Sequence, residues 1–195
     1  MALGATIHSF AITLNDADRG VYAALDLRVA RHPSETAEFL LARVLAYALE
    51  YREGLEFSKG GLSDTDEPAL AVRDLTGALQ AWIEVGAPDA ARLHRAAKAA
   101  PRVVVYCHKD VPALLERLAG ASIHRAAEIE VRGLDRALLA ALAARLQRRT
   151  GFDLSVSEGH LYLTLPDATL DGVVSHHRIG EAAKGRVAPI VSRDD

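Results

Sequence analysis

Apolar and polar residues alternate through residues 5–15 and 22–31. In the second stretch Leu25, Leu27 and Val29 interleave with Asp26, Arg28 and Ala30, the period of two that marks a strand with one buried face. The connector NDADRG is polar and ends in glycine, so the two strands are predicted to form a hairpin. His32-Pro33-Ser34 stops the alternation, and SETAEFLLARVLAYALEY then follows a helical period. Ser34 is the predicted N-cap, and Leu41, Val44, Leu45, Ala48 and Leu49 share the predicted buried stripe.

A polar loop, EFSKGGLSDTDEP, separates this helix from a second hairpin. ALAVRD is one arm, DLTG the turn and ALQAWIEVG the other arm. Asp74 at the first turn position and Gly77 at the fourth suit a type I turn. Pro88 opens a helix over PDAARLHRAAKAA, which Pro101 ends. RVVVYC is a continuous apolar run, as in a strand buried on both faces beside a parallel neighbour. The pattern then predicts a helix over DVPALLERLAG, a strand over AEIEVRG and a long helix over LDRALLAALAARLQRRTG closed by Gly151. Hairpin patterning returns in FDLSVSEGHLYLTLP and ATLDGVVSH, and the periodicity ends after His176. The prediction is one α/β domain over residues 1–175, a mixed β-sheet flanked by helices with hairpins at both ends, followed by an irregular tail over 176–195.

Composition removes some functions. Half of the 195 residues are hydrophobic and few are aromatic, so aliphatic side chains must fill the core. A net charge of -3 argues against a strongly basic nucleic-acid binder, although it leaves room for a local basic patch. Cys107 is the only cysteine, which excludes an intrachain disulfide and a thiolate-rich zinc site. MALGATIHSF lacks a basic region followed by a long apolar run, and no apolar run approaches the ~20 residues of a membrane-spanning helix. The expectation is a cytoplasmic protein of bacterial type, with no membrane association.

The second hairpin raises a charge problem. If its turn closes with Asp74 opposite Gly77, then Val72 meets Leu79, Leu70 meets Ala81, and Glu67 falls opposite Glu84. Residues two apart share a face, so Glu67, Ala69 and Ala71 lie beside Gln80, Trp82 and Glu84. Leu70, Val72, Leu79, Ala81, Ile83 and Val85 then face the core. A bulge in either arm would shift this register. Two facing carboxylates repel, and four arrangements relieve them: a shared proton, a hard cation such as Mg²⁺, a nearby guanidinium, or exposure to water at a frayed strand end. The spacing leaves all four open.

ARHPSET at 30–36, GLSDTDEP at 61–68 and WIEVGAPD at 82–89, together with the N-terminal MALGATIHSF, resemble the YaeQ family of small bacterial proteins. The resemblance spans residues 1–175 and implies a variant of the PD-(D/E)XK nuclease fold, a restriction-endonuclease-like core. Such a core has a helix carrying one acid and a hairpin carrying another acid and a (D/E)-x-K element. On this resemblance Glu35 stands for the helix acid and Glu84 for the acid of the second hairpin strand. The lysine position holds Gly86, and the family pattern implies a basic substitute from the next helix: Arg92 or Arg95, with Lys98 as a further candidate. After Pro68, where an acid belongs, stands Ala69, for which Glu67 on the same predicted face is the candidate replacement. The implied chemistry is metal-dependent phosphodiester hydrolysis at a degenerate site. Glu35, Glu67 and Glu84 would ligate Mg²⁺ or Mn²⁺, the metal would lower the pKa of a water, and Arg92 or Arg95 would steady the phosphate.

Each of these residues also has a plain structural reading. Glu35 follows the predicted cap, where the helix dipole favours an acid. Arg92, Arg95, Lys98 and Arg102 form a basic edge that either tracks a phosphate backbone or faces solvent. Trp82 stacks on a base or packs under the first helix. Asp64, Asp66 and Glu67 cluster without EF-hand spacing, and the adjacent His176 and His177 point to opposite faces of a strand. Cys107 has only His108 nearby to argue for a nucleophile, and Arg145, Arg148 and Arg149 suit a helix C-terminus. Three functions follow as expectations: a Mg²⁺- or Mn²⁺-dependent nuclease or phosphodiesterase; a catalytically inactive module that binds nucleic acid or protein, with the transcription link suggested for the family; or a housekeeping role that the fold does not reveal.

Overall fold

The computed structural model describes residues 4–58 and 67–180. The N-terminal hairpin is β1 (Thr6–Asp16) and β2 (Val21–Arg31), in continuous antiparallel register. Helix α1 (Ala37–Leu49) follows, then β3 (Leu55–Phe57), β4 (Leu70–Arg73) and β5 (Leu79–Val85). Two crossovers come next: α2 (Ala90–Ala99) into β6 (Arg102–Cys107), and α3 (Val111–Leu118) into β7 (Glu130–Leu134). Helix α4 (Arg136–Ala143) leads to the final strands β8 (Arg149–Ser157), β9 (His160–Thr164) and β10 (Thr169–Arg178).

All ten strands join one mixed, largely antiparallel sheet in the order β2-β1-β8-β9-β10-β7-β6-β5-β4-β3. Parallel pairing occurs at β1·β8, β5·β6 and β6·β7. Alternation along the central strands serves two cores. Val104 and Tyr106 of β6 join Ile83 and Val85 of β5 beneath α1 and α4. Val103, Val105 and Cys107 face the other way and pack with Trp82 and the apolar sides of α2 and α3. RVVVYC is therefore buried on both faces between parallel neighbours, as its unbroken apolar run requires. Helix α1 contacts β2 at one sheet edge and also β5 and β6, so the twisted sheet curls around it. This is why α1 buries far more than one stripe.

Several boundaries differ from the sequence expectation. The N-cap of α1 is Thr36, whose Oγ1 accepts from the Phe39 amide at 3.2 Å; Ser34 instead bonds the His32 ring. The helix expected over 134–151 ends at Ala143, and Arg149 already pairs with Ser9 in β8. Helical propensity in ARLQRR yields there to a parallel partner strand. Arg145 and Arg148 accordingly bond Asp167 and the Ile7 carbonyl, and neither lies within a helix. β3, expected as loop, pairs antiparallel with β4. The last strand continues through Arg178 and Ile179 is buried, so order extends past residue 175.

The second hairpin keeps its predicted faces at Leu70, Val72, Ala81, Ile83 and Val85 and at Trp82 and Glu84, but Leu79 packs against the α2 core and Ala69 against the α1 core, and the partners change. Leu70 meets Ile83, Ala71 meets Trp82 and Val72 meets Ala81, a register two residues from the expected one. The expected turn forms, with the Gly77 amide donating to the Asp74 carbonyl, but Gly77 takes a φ of +83° and the Asp74 amide bonds the Ala78 carbonyl, which moves the pairing by one residue. Asp74 Oδ1 accepts from the amides of Thr76 and Ala78 and from Thr76 Oγ1, and its Oδ2 accepts from Gln80 Nε2. That side chain organises a longer loop, and an irregularity between Val72 and Arg73 absorbs another residue. Glu67 is consequently not opposite Glu84.

Candidate functional site

Period two on β5 points Trp82 and Glu84 toward α2, while Ala81, Ile83 and Val85 enter the α1 core. Trp82 packs with Leu93, Ala96 and Ala97 of α2, so its expected place under the first helix is corrected. Asp89 caps α2 by accepting from the Arg92 amide at 2.7 Å, which fixes the first turn and aims Arg92 back over the strand. Arg92 Nε then donates to Glu84 Oε1 at 2.6 Å, and Trp82 Nε1 donates to the same oxygen at 2.5 Å. The guanidinium carbon lies 5.8 Å from the Trp82 ring centroid. Arg92 Nη2 donates to the backbone carbonyl of Glu67 at 2.7 Å, and the Glu67 carboxylate turns away to accept from Ser58 Oγ at 2.8 Å. One guanidinium thus bridges the two positions where the sequence set two acids face to face. Of the four ways to relieve that repulsion, a guanidinium is the one used, and the changed register also moves the two acids apart.

Glu35 lies elsewhere. It is 4 % exposed, between the end of β2 and α1. Arg43 grips it with two parallel bonds, Nε to Oε1 at 2.8 Å and Nη2 to Oε2 at 2.9 Å. The His32 amide adds a third donor at 3.0 Å, and Arg43 Nη2 also reaches the Ala30 carbonyl. This is a lock between strand and helix, built from residues eight apart in sequence.

The expected three-glutamate metal site is therefore not assembled. Among the described residues no three His, Cys, Asp or Glu side chains group so as to hold a metal ion; Asp64 and Asp66 lie outside those residues. Mg²⁺ requires carboxylate oxygens free to approach to about 2.1 Å. Both Glu35 oxygens already accept charged or amide donors, and Glu84 Oε1 accepts two. An arginine charge in direct contact also opposes a second cation. Glu35, Glu67 and Glu84 as placed do not fit a divalent ion. Arg95 and Lys98 are exposed on α2, and neither reaches these acids. Arg102 leaves the supposed basic edge altogether and is ion-paired with Glu50 and Glu130.

Gly86 has a backbone reason to be glycine. Its φ is +108°, a conformation that side-chain-bearing residues rarely adopt, and its amide donates to the Tyr106 carbonyl. A Cβ there would stand 3.2 Å from the Phe39 ring. The sharp turn from β5 toward α2 would strain a lysine at this position.

A charged cluster on the other face of the sheet was not legible in the sequence. Glu50, fully buried at the C-cap of α1, accepts from Arg102 Nη1 at 2.7 Å, from Tyr106 Oη at 3.0 Å and pairs with Arg132 Nη1 at 3.0 Å. Glu130 pairs with the same two arginines, at 2.8 Å each. Burial would raise the Glu130 carboxyl, but hydrogen bonds from Arg102 and Arg132 outweigh it and hold the group below its ordinary range. Burial, reinforced by Glu50, pushes the Tyr106 phenol far above its ordinary value, so it remains a hydrogen-bond donor. The only hints in the sequence were a lone arginine after Pro101 and the Glu-Val-Arg alternation of β7. The five residues come from α1, β6 and β7. Their shared ion pairs, which leave only Arg132 Nε without a bond, make the cluster a brace between helix and sheet.

Burial raises the Cys107 thiol and lowers His108, which leaves a neutral thiol and a neutral imidazole and no thiolate nucleophile. His176 and His177 pair in register with Arg132 and Val131 on opposite faces of β10. A concavity of about 820 Å³ runs along β3 and β4, and among the described residues its charged lining is Glu53, Glu56, Glu67 and Asp74 against Arg73. Its potential opposes a phosphate backbone.

A family model described as YaeQ protein matches residues 1–173. The chain is 32 % identical over 165 residues to the uncharacterised protein YaeQ of Escherichia coli (strain K12), covering 84 % of this chain and 91 % of that one. The uncharacterised YaeQ of Salmonella typhi matches to the same extent. Among solved structures, the YaeQ protein from Xanthomonas axonopodis pv. citri superposes with a TM-score of 0.80 at 34 % identity, covering 88 % of this chain and 97 % of that one. The YaeQ protein from Pseudomonas syringae superposes with a TM-score of 0.78 at 32 % identity, covering 90 % and 96 %.

Proposed function

The chain belongs to the YaeQ family, and from that premise we propose that it is a catalytically silent, protein-binding module on a nuclease-like scaffold. The observation that carries this reading is the closure of Glu84 by Arg92 and Trp82. A metal ligand in a PD-(D/E)XK site must present free oxygen to a cation and to water. Here the corresponding carboxylate is neutralised and serves to fasten α2 to β5. The bidentate Arg43–Glu35 pair speaks the same way for the helix acid. A protein partner is favoured over nucleic acid because the basic edge shrinks to Arg95 and Lys98, while the groove along β3 and β4 is acidic.

One observation favours the alternative of metal-dependent phosphodiester hydrolysis. Arg92 stands on Glu84, as a residue replacing the motif lysine would. A single experiment separates the two readings. Labelled single- and double-stranded DNA and RNA are incubated with the purified protein and Mg²⁺ or Mn²⁺, and Mn²⁺ binding is followed by calorimetry in the wild type and in Glu84→Gln. The module reading expects no Glu84-dependent cleavage and equal heats in both proteins. Metal-dependent cleavage that disappears in a folded Glu84→Gln variant would overturn it. Fluorescence anisotropy with a Lys/Arg-rich peptide and with an oligonucleotide of equal length tests the partner class. Tighter binding of the oligonucleotide would refute a protein partner.

A further inference from the structure

The free edge of β2 points to a second copy of this chain. β2 is the terminal strand of the sheet, eleven residues long, with a neighbour on one side only. Its outward-facing backbone can be identified. The amides of Ser9 and Ala17 donate to the Arg148 and Val156 carbonyls, so odd-numbered residues of β1 bond toward β8 and even-numbered ones toward β2. Phe10 and Ile12 are paired with Leu27 and Leu25. The peptide groups of Ala24, Asp26 and Arg28 therefore face the open edge, each with a donor and an acceptor to satisfy, while the Ala30 carbonyl beyond them already accepts from Arg43.

The side chains at this edge complement themselves about a twofold axis. Asp26 and Arg28 are exposed on the uncovered face of the sheet, and neither has an ion-pair partner among the described residues. Arg28 and Arg149 flank Ser9 in one row across three strands, with no acid between them. An antiparallel pairing of β2 with itself centred on Leu27 sets Asp26 opposite Arg28 of the second copy, and Arg28 opposite Asp26 of the second copy. Both sit in hydrogen-bonded positions, and their Cβ atoms would be about 5 Å apart. Ala24 meets Ala30, whose carbonyl Arg43 holds, so the ladder rests on Asp26 and Arg28, and Leu25 meets Val29 on the α1 side. Centring on Asp26 or on Arg28 instead stacks like charges at the axis, and centring on Leu25 leaves Asp26 opposite Ala24. Only the Leu27-centred register satisfies both charges.

We propose that two copies of this chain associate through their β2 edges in this register, forming one continuous sheet with isologous symmetry. The competing reading is that Asp26 and Arg28 guard the edge against such pairing.

Sedimentation and light scattering of the full chain decide between them, across low to high micromolar concentrations. The expected result is a monomer–dimer equilibrium. Asp26→Arg and Arg28→Asp should each weaken the dimer by about tenfold or more, and the double exchange should restore it. Circular dichroism checks that each variant folds. Hydrogen exchange gives a second readout that needs no variant: the amides of Asp26 and Arg28 should gain protection as protein concentration rises. A monomer throughout, edge amides indifferent to concentration, or a dimer unmoved by the single reversals overturns the proposal.

Discussion

Replacing Arg92 by methionine tests the reading of Glu84 as a structural anchor. The side chain keeps its apolar stem over Trp82 and loses the guanidinium. The two partners are buried unequally: Glu84 is 5 % exposed at its side chain and Arg92 21 %. Removing Arg92 strands the more deeply buried charge, which keeps only the Trp82 donor, and also leaves the Glu67 carbonyl without its bond. Stranding a buried partner costs about 3–5 kcal/mol in full burial and about 0–1 kcal/mol at the surface. For this geometry the expected loss is about 2–4 kcal/mol. Glu84→Gln keeps the shape and an acceptor, and the more exposed Arg92 keeps its bond to the Glu67 carbonyl, so about 1–2 kcal/mol is expected. The double variant should show a coupling of about 1–3 kcal/mol. Urea unfolding followed by circular dichroism at neutral pH measures all three, and repetition in high salt should change the coupling little because Glu84 is shielded from solvent ions. A cost for Arg92→Met below about 1 kcal/mol, or a larger cost for Glu84→Gln than for Arg92→Met, would show that the pair is not the anchor described here.

Restoring the motif lysine with Gly86→Lys should cost about 1–3 kcal/mol in the same unfolding assay, from the positive φ and the Phe39 contact, and should bring no cleavage activity; unchanged stability would contradict the backbone argument. Glu50→Ala should lower stability by about 3–5 kcal/mol, because Arg102, Arg132 and Tyr106 all lose their shared acceptor, and Glu50→Gln should cost less; thermal melts of the two variants give the ranking. Acid stability should depend on Glu130. Its folded value is depressed, so its contribution is complete above the unfolded carboxyl range, near pH 4.5, and is lost as pH falls through the folded value; Glu130→Gln should flatten that limb of the stability curve. Burial and then Arg132 lower His176, and burial and then Lys109 lower His108, so the unfolded chain takes up these protons first. Stability should therefore decline as pH drops below about 6.5, and His176→Gln should reduce the slope; an unchanged slope would refute this assignment.

Much of this architecture was legible in local pattern. Period two in β1, β2, β5 and β8 to β10 set which side chains face a core, and Pro88 and Pro101 marked the bounds of α2. Between Leu70 and Val72 and between Ala81 and Val85 the face assignment survived a wrong register, because a shift of two residues exchanges partners without turning a side chain over; Leu79, beside the irregularity, and Ala69, before the strand, went to the other side. Family membership was also visible in three short segments. What the chain could not reveal locally was which charge meets which. Arg43 closes Glu35 and Arg92 closes Glu84 across strand-to-helix turns eight residues long, and Arg102 and Arg132 close Glu50 from strands distant in sequence. A carboxylate has the same spacing in sequence whether it awaits a metal or is held by an arginine. Only packing places the guanidinium, and the strand end at Gly86 bends through a positive φ that would strain the motif lysine. The sequence determined the faces of the elements, and the tertiary structure decided the electrostatic partners, since Coulombic contact depends on distances in space that local periodicity does not encode.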